Sequence, residues 1–308
     1  MAASCILIVD SCCDLPFELV DRPQVELVRF PYFFGSEEHL DDMFHTADAK
    51  SFYGRMRAGE APTTAQVSLV VLEETFRKCA ASGRDSVYLS FSSGLSGSFD
   101  KALLIRDKVC AEYPDATIEV VDTHLASTGE ALLIYEALRR HEQGAGAAEL
   151  ASWAREAQHF VNVFFMVDNL DALQRGGRIP ASVAFAGSKL DVKPILMIPD
   201  DGTLSIKTIV RGRKKGLKTL AQLYRENAAP YQGASDVCVG NADCPDDMKR
   251  LEKLVAGDGD VHFVETSIGP VIGCHVGPDM VSLVFWGRDK RPASSVSERI
   301  AQRIRSNR

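Results

Sequence analysis

The sequence lacks the features that would place it at once in a membrane, secreted or metal-binding class. Its 308 residues include eight cysteines but no Cys-x-x-Cys pair, and its seven histidines show no His-x-x-x-His spacing. No apolar run approaches the ~20 residues that span a bilayer. The first apolar run ends at Asp10 and has no basic segment before it, unlike a signal peptide. We therefore expect a cytoplasmic protein with reduced thiols, no metal, no cofactor and no integral membrane segment.

Basic residues are also fewer than acidic ones. The 35 lysines and arginines are outnumbered by 42 aspartates and glutamates, which gives a formal net charge of −7. The longest basic cluster is residues 211–215, so the charge pattern argues against nucleic acid or an anionic membrane surface as the main partner. With 45% apolar and 25% charged residues the composition is that of a globular protein, and the length favours two domains.

Short β-branched runs alternate with helical patterns through the first half of the chain. This alternation predicts βαβ units on a mainly parallel sheet. Ser127 and Glu130, three residues apart, fit a capping box at the start of one helix. The predicted strands are residues 6–9, 25–34, 86–91 and 118–121, and the predicted helices are residues 69–81, 97–112, 132–141 and 147–158.

Hairpin chemistry marks the second half of the chain. Residues 193–199 and 203–211 are apolar runs separated by Asp200-Asp201-Gly202, a strong hairpin signal. We therefore predict a mixed or antiparallel sheet with helices on one side, and an α/β protein of two domains, residues 1–159 and 160–308. The further predicted strands are residues 237–239, 261–264 and 281–286, the predicted helices are residues 214–227 and 245–256, and the tail at 299–308 is predicted as a fraying helix.

Two stretches of small hydroxyl residues precede predicted helices. Residues 90–98 run from a strand through Ser93, Ser96 and Gly97 into a helix, where unpaired amides and the helix dipole favour an anion. Residues 62–68 contain Thr63 and Thr64 in a similar setting. The alternative for each stretch is simple helix capping. Two such turns at the carboxyl edge of one sheet would nevertheless form a ligand site.

A histidine and an arginine add to these candidates. His275 lies among glycines and a proline in residues 272–278, which predicts a loop histidine near its ordinary pKa, able to donate to a carboxylate; a solvent-facing turn is the alternative. Arg178 follows a Gly pair. We favour a structural role for it, in ion pairs with Asp168 or Asp171, with support of a bound carboxylate as the secondary expectation.

Taken in order, several segments resemble the DegV family of bacterial fatty-acid-binding proteins. The similarity covers nearly the whole chain and implies two α/β domains of the EDD type, with one long-chain fatty acid as the ligand and its carboxylate at the domain junction. The segments are Val9-Asp10-Ser11, Asp14-Leu15-Pro16, residues 64–68, residues 92–98, Val121-Asp122-Thr123, residues 173–179, Lys193-Pro194-Ile195-Leu196 and His275-Val276-Gly277-Pro278.

The resemblance also implies roles for particular residues. Thr64 and Ser96 match carboxylate donors of the family, and His275 matches its histidine. Arg211 matches an arginine on the surface that meets a fatty acid kinase, the partner that phosphorylates the bound acid in phospholipid synthesis; the lipid-binding chain itself is not an enzyme. The sequence departs from the family at Ala65, Val67 and Asp279, and Asp279 would place a negative charge near the carboxylate.

Two other functions remain open from the residues. Ser96, His275 and Asp122 could form the nucleophile, base and orienting acid of an acyl hydrolase or transferase. A phosphate or nucleotide could bind the Ser-rich turn, but no lysine accompanies it and a Walker A motif is absent. The apolar residues available to line an acyl tunnel are Phe30, Phe33, Phe160, Phe164, Phe165, Met166, Phe185, Ile195 and Leu196.

Overall fold

A computed structural model describes residues 4–180 and 191–291. Phe185 and the predicted helix at 299–308 lie outside the described residues. The strands are β1 Ile6–Asp10, β2 Val25–Val28, β3 Pro31–Phe34, β4 Glu37–Leu40, β5 Thr63–Thr64, β6 Ser86–Ser90, β7 Ile118–Asp122, β8 Val161–Met166, β9 Val192–Met197, β10 Ser205–Arg211, β11 Val237–Asn241, β12 Phe263–Ser267 and β13 Val281–Trp286. The helices are α1 Phe17–Val20, α2 Ala49–Arg57, α3 Leu69–Ala81, α4 Ser98–Glu112, α5 Thr128–Glu142, α6 Ala147–Ala157, α7 Asp171–Arg175, α8 Arg213–Asn227, α9 Pro245–Ala256 and α10 Pro270–Val276.

The first half forms the predicted parallel sheet, with strand order β2-β1-β6-β7. Residues 6–10 of β1 and 86–90 of β6 are buried throughout, as expected for strands covered on both faces. Helices α3 and α4 pack side by side, and α6 packs on β6 and β7. The α/β class with two domains is therefore confirmed, whereas the division at residue 160 stays a prediction.

One predicted strand is in fact two. Only Val25–Val28 of residues 25–34 joins the parallel sheet, beside β1. Pro31–Phe34 instead pairs antiparallel with β4 and β5 in a separate three-stranded sheet. The break falls at Pro31, which has no N–H for a ladder and is tolerated at the first residue of a strand. A continuous apolar run had hidden this boundary.

The second half is a six-stranded mixed sheet in the order β10-β9-β8-β13-β11-β12. Strands β9 and β10 pair antiparallel around the predicted turn, which confirms the hairpin. The prediction of helices on one side was wrong. Helices α8 and α9 cover one face, while α5 of the first half packs on β8, β11 and β13 from the other. Helix α5 is buried along most of its length because it contacts both halves.

The predicted capping box was also wrong. Ser127 precedes α5 with φ 54° and makes no side-chain cap. Its hydroxyl instead donates to the buried carboxylate of Asp14, at 2.5 Å, and its backbone N–H donates to the carbonyl of Cys12. Glu130 does not return to the cap: its side chain is fully buried, and burial raises its pKa well above the ordinary value. Long-range contacts replaced the local motif.

All eight cysteines are free thiols. Across residues 4–180 and 191–291, no helix is both long enough and apolar enough to cross a bilayer. The same ranges contain no group of three or more His, Cys, Asp or Glu side chains able to hold a metal ion.

Candidate functional site

A mostly apolar cavity of about 270 Å³ lies between the two halves of the molecule. The first half contributes the ends of its strands and the loops that follow them, and the second half contributes β8, α7, the β9–β10 hairpin and α10. Ligand sites of α/β proteins lie at this carboxyl edge of the sheet. The lining residues are Cys12, Phe30, Thr64, Ala65, Gln66, Phe91, Leu95, Ser96, Ala126, Ser127, Thr128, Val163, Phe165, Leu173, Arg178, Ile198, Leu204, Val271, Ile272, His275, Val276 and Met280.

Thr64 and His275 meet at this cavity although 211 positions separate them in the chain. Thr64 Oγ1 lies 2.9 Å from His275 Nε2, and both residues line the cavity. Thr64 is fixed by the backbone pairing of β5 with β3, and His275 by the last turn of α10. The contact joins an element of the first half to an element of the second. The hydrogen bond to the His275 ring also orients the Thr64 hydroxyl.

The expectation of a loop histidine with an ordinary pKa was wrong. His275 lies in α10, mostly buried, and its pKa is lowered to about 4. Burial is the main cause, and the positive charges of Arg178 and Arg175 add to it. The imidazole is therefore neutral at pH 7. Its Nδ1 is buried without a hydrogen-bond partner, against Gly176, whose missing side chain leaves room for the ring.

Ser96 and Gly97 lie at the entry to α4. Ser96 Oγ is 3.0 Å from Ser98 Oγ and lines the cavity, and Ser96 N–H donates to the Ser92 carbonyl. The N-cap position of α4 is Gly97, which provides no side-chain cap. A Cβ at Gly97 would lie only 2.7 Å from the Gln66 amide nitrogen, so the glycine lets Gln66 approach this turn. The two hydroxyl-rich segments are thus neighbours in space.

The prediction that Thr64 lies in a turn that leads directly into a helix was wrong. Thr64 lies in strand β5, not at a helix entry, and Ser68 caps α3 by accepting from the Val71 N–H. The helix therefore begins five residues after Thr64. Of the two hydroxyl-rich segments, the Ser96 turn leads directly into a helix, and the opposite wall presents a strand hydroxyl supported by His275.

Arg178 does not pair with the acidic residues before it. Its guanidinium donates to the Leu95 carbonyl at 3.2 Å and to the Gly176 carbonyl at 2.5 Å, and it lines the cavity. Asp168 instead pairs with Lys193, at 2.5 Å. Burial lowers the pKa of Arg178 without neutralising it. The arginine thus brings a positive charge to the same end of the cavity as Ser96 and His275.

The remaining predicted residues lie outside the cavity lining. Thr63 is exposed and pairs with Phe33 across the small sheet. Ser93 is exposed, and its backbone N–H donates to Asp122. Arg211 ends β10 and is exposed. Neither Thr63 nor Ser93 therefore places its hydroxyl beside Thr64 and Ser96.

The structure does not assemble the hydrolase triad. Asp122 lies 3.1 Å from the ring of His124, and accepts from the backbone of that residue and of Ser93. His275 contacts Thr64, and Ser96 contacts Ser98. A serine nucleophile needs a base within hydrogen-bond reach and an acid that orients the base. In the described structure each of the three residues has another partner.

Sequence comparison agrees with this architecture. The family model described as "Uncharacterised protein, DegV family" matches residues 4–288. The chain belongs to the DegV family. A DegV domain-containing protein of Clostridium perfringens is 33% identical over 289 residues, which are 93% of this chain and 99% of the relative.

Solved DegV structures share the fold. A DegV family protein of Thermus thermophilus, reported for its fatty acid binding, has TM-score 0.79 and 26% identity, over 92% of this chain and 99% of that one. A stearic acid-binding protein of Eubacterium ventriosum has TM-score 0.78 and 27% identity, over 93% and 98%. DegV of Bacillus subtilis, called a fatty acid binding protein, has TM-score 0.77 and 25% identity, over 93% and 100%.

Several lining residues of this DegV protein were not predicted. Of the expected apolar residues, Phe30 and Phe165 line the cavity, whereas Phe164, Met166 and Ile195 pack in a separate core on the other face of the sheet. Cys12, Ser127 and Thr128 were missed as lining residues. Their place in the sequence could have identified them, because each lies just after a strand of the parallel sheet or at the start of the following helix.

Proposed function

We propose that this chain binds one long-chain fatty acid in the cavity between its halves and performs no chemistry on it. The observation that carries this proposal is the cavity itself, which is apolar over most of its wall and has Thr64, Ser96 and His275 among its few polar groups. The fatty-acid-binding relatives of the same fold support it.

The energetics favour an acyl ligand. A chain of about fifteen methylenes contributes on the order of 12 kcal/mol when fully buried, at ~0.8 kcal/mol each. Ordering the chain and losing translational freedom offset roughly half of this. A buried carboxylate, however, is costly unless its oxygens are hydrogen-bonded. The polar groups are therefore needed mainly to fix the head group, and the apolar wall provides the affinity.

The contacts suggest how the head group is held. His275 is neutral at pH 7, so one ring nitrogen carries a proton. With that proton on Nε2, the ring donates to Thr64 Oγ1, which leaves the threonine hydroxyl hydrogen free for the ligand carboxylate. Ser96 Oγ can donate to the other carboxylate oxygen. The nearby guanidinium of Arg178 balances the ligand's negative charge.

Loading can be measured directly. Protein purified from a bacterial host, denatured and analysed by mass spectrometry should release close to one equivalent of fatty acid. Thr64→Ala should reduce loading severalfold, because it removes the hydroxyl that His275 orients. Thr63→Ala is the matched control, since the exposed neighbouring hydroxyl lies outside the cavity lining. Wild-type protein that releases no fatty acid would contradict the proposal.

Ser96 and Ser93 provide a second matched pair of variants, because Ser96 lines the cavity and Ser93 does not. Ser96→Ala should lower loading, and Ser93→Ala should not, because Ser93 is exposed, bonds to Asp122 and lies outside the cavity lining. An esterase assay on the same proteins tests the alternative. Hydrolysis by the wild type that Ser96→Ala abolishes would favour the acyl hydrolase instead.

We further propose that the loaded protein acts in the bacterial cytoplasm and presents the carboxylate to a fatty acid kinase. Arg211, exposed at the end of β10, is the proposed docking residue. Arg211→Ala should slow acyl phosphate formation by the kinase without changing fatty acid loading. Lys253→Ala, which removes an exposed cation from α9, should leave the rate unchanged. Equal rates for both variants would remove Arg211 from the interface.

A further inference from the structure

Helix α10 belongs in sequence to the second half of the chain but is held by the first. Val271, Ile272, His275 and Val276 of this short helix line the cavity. Its N-cap, Gly269, has no side chain with which to satisfy the first amides, and Pro270 has no N–H. The amides of Gly269 and Val271 therefore depend on acceptors from elsewhere.

Two buried carboxylates from the other half accept these amides. Asp14 Oδ1 accepts from Gly269 N–H at 2.9 Å, and Asp41 Oδ2 accepts from Val271 N–H at 3.0 Å. Both side chains are 1% exposed or less. A Cβ on Gly269 would lie 2.7 Å from Asp14 Oδ1, so glycine is required for this approach.

The second oxygen of each carboxylate is tied down as well. Asp14 Oδ2 accepts from the hydroxyl of Ser127, and Asp41 Oδ1 accepts from Met43 N–H at 2.8 Å. Tyr53 adds a third link, because its hydroxyl donates to the Ile268 carbonyl at 2.6 Å. The start of α10 is therefore fixed at three points within residues 268–271 by groups from residues 14–53.

We propose that Asp14 and Asp41 are positioning residues, which hold the amino end of α10 against the first half and thereby set His275 against Thr64. The inference rests on the proposed fatty acid site, since Thr64 and His275 are its head-group residues. Neither aspartate lines the cavity, so both act through the helix. This gives the Asp14-Leu15-Pro16 segment a role that the ligand contacts alone do not.

The chemistry of the two aspartates provides a sharp contrast. Asp41 accepts one backbone N–H at each oxygen, so in Asp41→Asn the side-chain NH₂ must face one of them and a hydrogen bond is lost. Asp14 accepts one N–H and one hydroxyl, and a hydroxyl can reverse its role. Asp14→Asn can therefore keep both bonds.

The test uses delipidated full-length protein at pH 8, where Asp41 is largely ionised, and follows the NMR chemical shifts of the His275 imidazole. In the wild type its pKa is held down to about 4 by burial and by Arg178 and Arg175. Asp41→Asn should loosen α10 and shift the His275 ring resonances, because the ring is no longer held against Thr64, and affinity for a long-chain fatty acid should fall about tenfold. Asp14→Asn should change affinity less than about twofold.

Asp236→Asn is the matched control, since Asp236 is a buried aspartate whose partners are Arg139 and His262. It should lower stability without moving the His275 ring resonances at pH 8. Should Asp41→Asn not fold, Tyr53→Phe removes the Ile268 bond and should shift His275 in the same direction by less. Unchanged His275 ring resonances in Asp41→Asn at pH 8, or in Tyr53→Phe where that variant replaces it, overturn the inference.

The outcome also separates this inference from the proposed function. A wild type that binds no fatty acid but shows the His275 shift in Asp41→Asn would refute the proposed function alone. A wild type that binds fatty acid with no shift in the variant would refute the positioning role alone.

Discussion

Phe164 and Phe165 are neighbours in β8, have the same side chain and are each 4% exposed, yet they belong to different environments. Phe165 faces the first half and lines the cavity. Phe164 faces α8 and α9, in a core with Met166, Ile195 and Phe285. Successive residues of a strand point to opposite faces, so one step along the chain separates a cavity wall from a closed core. Burial alone therefore does not distinguish binding residues from packing residues.

The largest effect should come from truncating these two phenylalanines in turn. Phe164→Ala should cost about 3–5 kcal/mol of unfolding free energy because it opens a hole in a closed core. Fatty acid bound per folded molecule should not change. Phe165→Ala should cost less, because it extends an existing cavity, and should shift ligand preference towards longer chains. Denaturant unfolding and competition between acids of different length would measure both; equal effects on stability and on ligand preference would contradict the comparison.

Buried acids on the cavity side make stability depend on pH. Burial raises the pKa of Asp10 to about 6 and of Asp41 to about 7. Such groups bind their protons more tightly when folded, so their contribution is complete below about pH 4 and is lost as the pH rises through 6 and 7. These two acids should lower the unfolding free energy by roughly 4 kcal/mol between pH 5 and pH 8. The lowered pKa of His275 should offset about half of this, so we expect a net loss on the order of 2 kcal/mol, measured by denaturant unfolding.

Asp41→Asn tests the source of this pH dependence. The variant should show a smaller decline of unfolding free energy between pH 5 and pH 8 than the wild type, because it has one fewer group to ionise. The Asp41 carboxyl faces Asp42 and Asp10 as well as the amides of Val271 and Met43. A decline of the same size in Asp41→Asn and in the wild type would contradict a raised pKa at Asp41.

The smallest effects should come from two helical glycines that touch opposite faces of the sheet. A Cβ on Gly216 of α8 would lie 2.1 Å from Met166 Sδ, on the closed side, so Gly216→Ala should cost about 1–3 kcal/mol and leave binding unchanged. A Cβ on Gly129 of α5 would lie 2.7 Å from Val163, which can move into the cavity. Gly129→Ala should therefore lower the unfolding free energy by less than Gly216→Ala does, and should lower the affinity for fatty acid by more. A larger loss of affinity in Gly216→Ala than in Gly129→Ala would contradict the presence of space beside Val163.

Much of this architecture could be predicted because the patterns are local. The helices at residues 69–81 and 245–256 and the strand at 281–286 were predicted with the bounds that the structure gives them. Alternating runs predicted the parallel sheet, and one turn predicted the β9–β10 hairpin. The split at Pro31 was missed, because the apolar run on both sides of the proline looks continuous.

The site was harder to predict because its contacts are distant in sequence. Spacing alone could not show that Thr64 lies in a strand, or that the Ser127 hydroxyl serves Asp14 instead of a helix cap. The environment of His275 depends on burial and on two arginines almost a hundred positions away. Local propensity cannot report a pKa that three-dimensional packing determines.

A ligand bound in the cavity between the halves would raise the stability of the folded protein. A ligand that fills the space between Phe30 of one half and Phe165 of the other binds the native state and not the unfolded chain. By mass action, an acid at a hundred times its dissociation constant adds about 2.7 kcal/mol to the stability. The proposed fatty acid would therefore stabilise the native state by this amount, and its removal would lower the stability again.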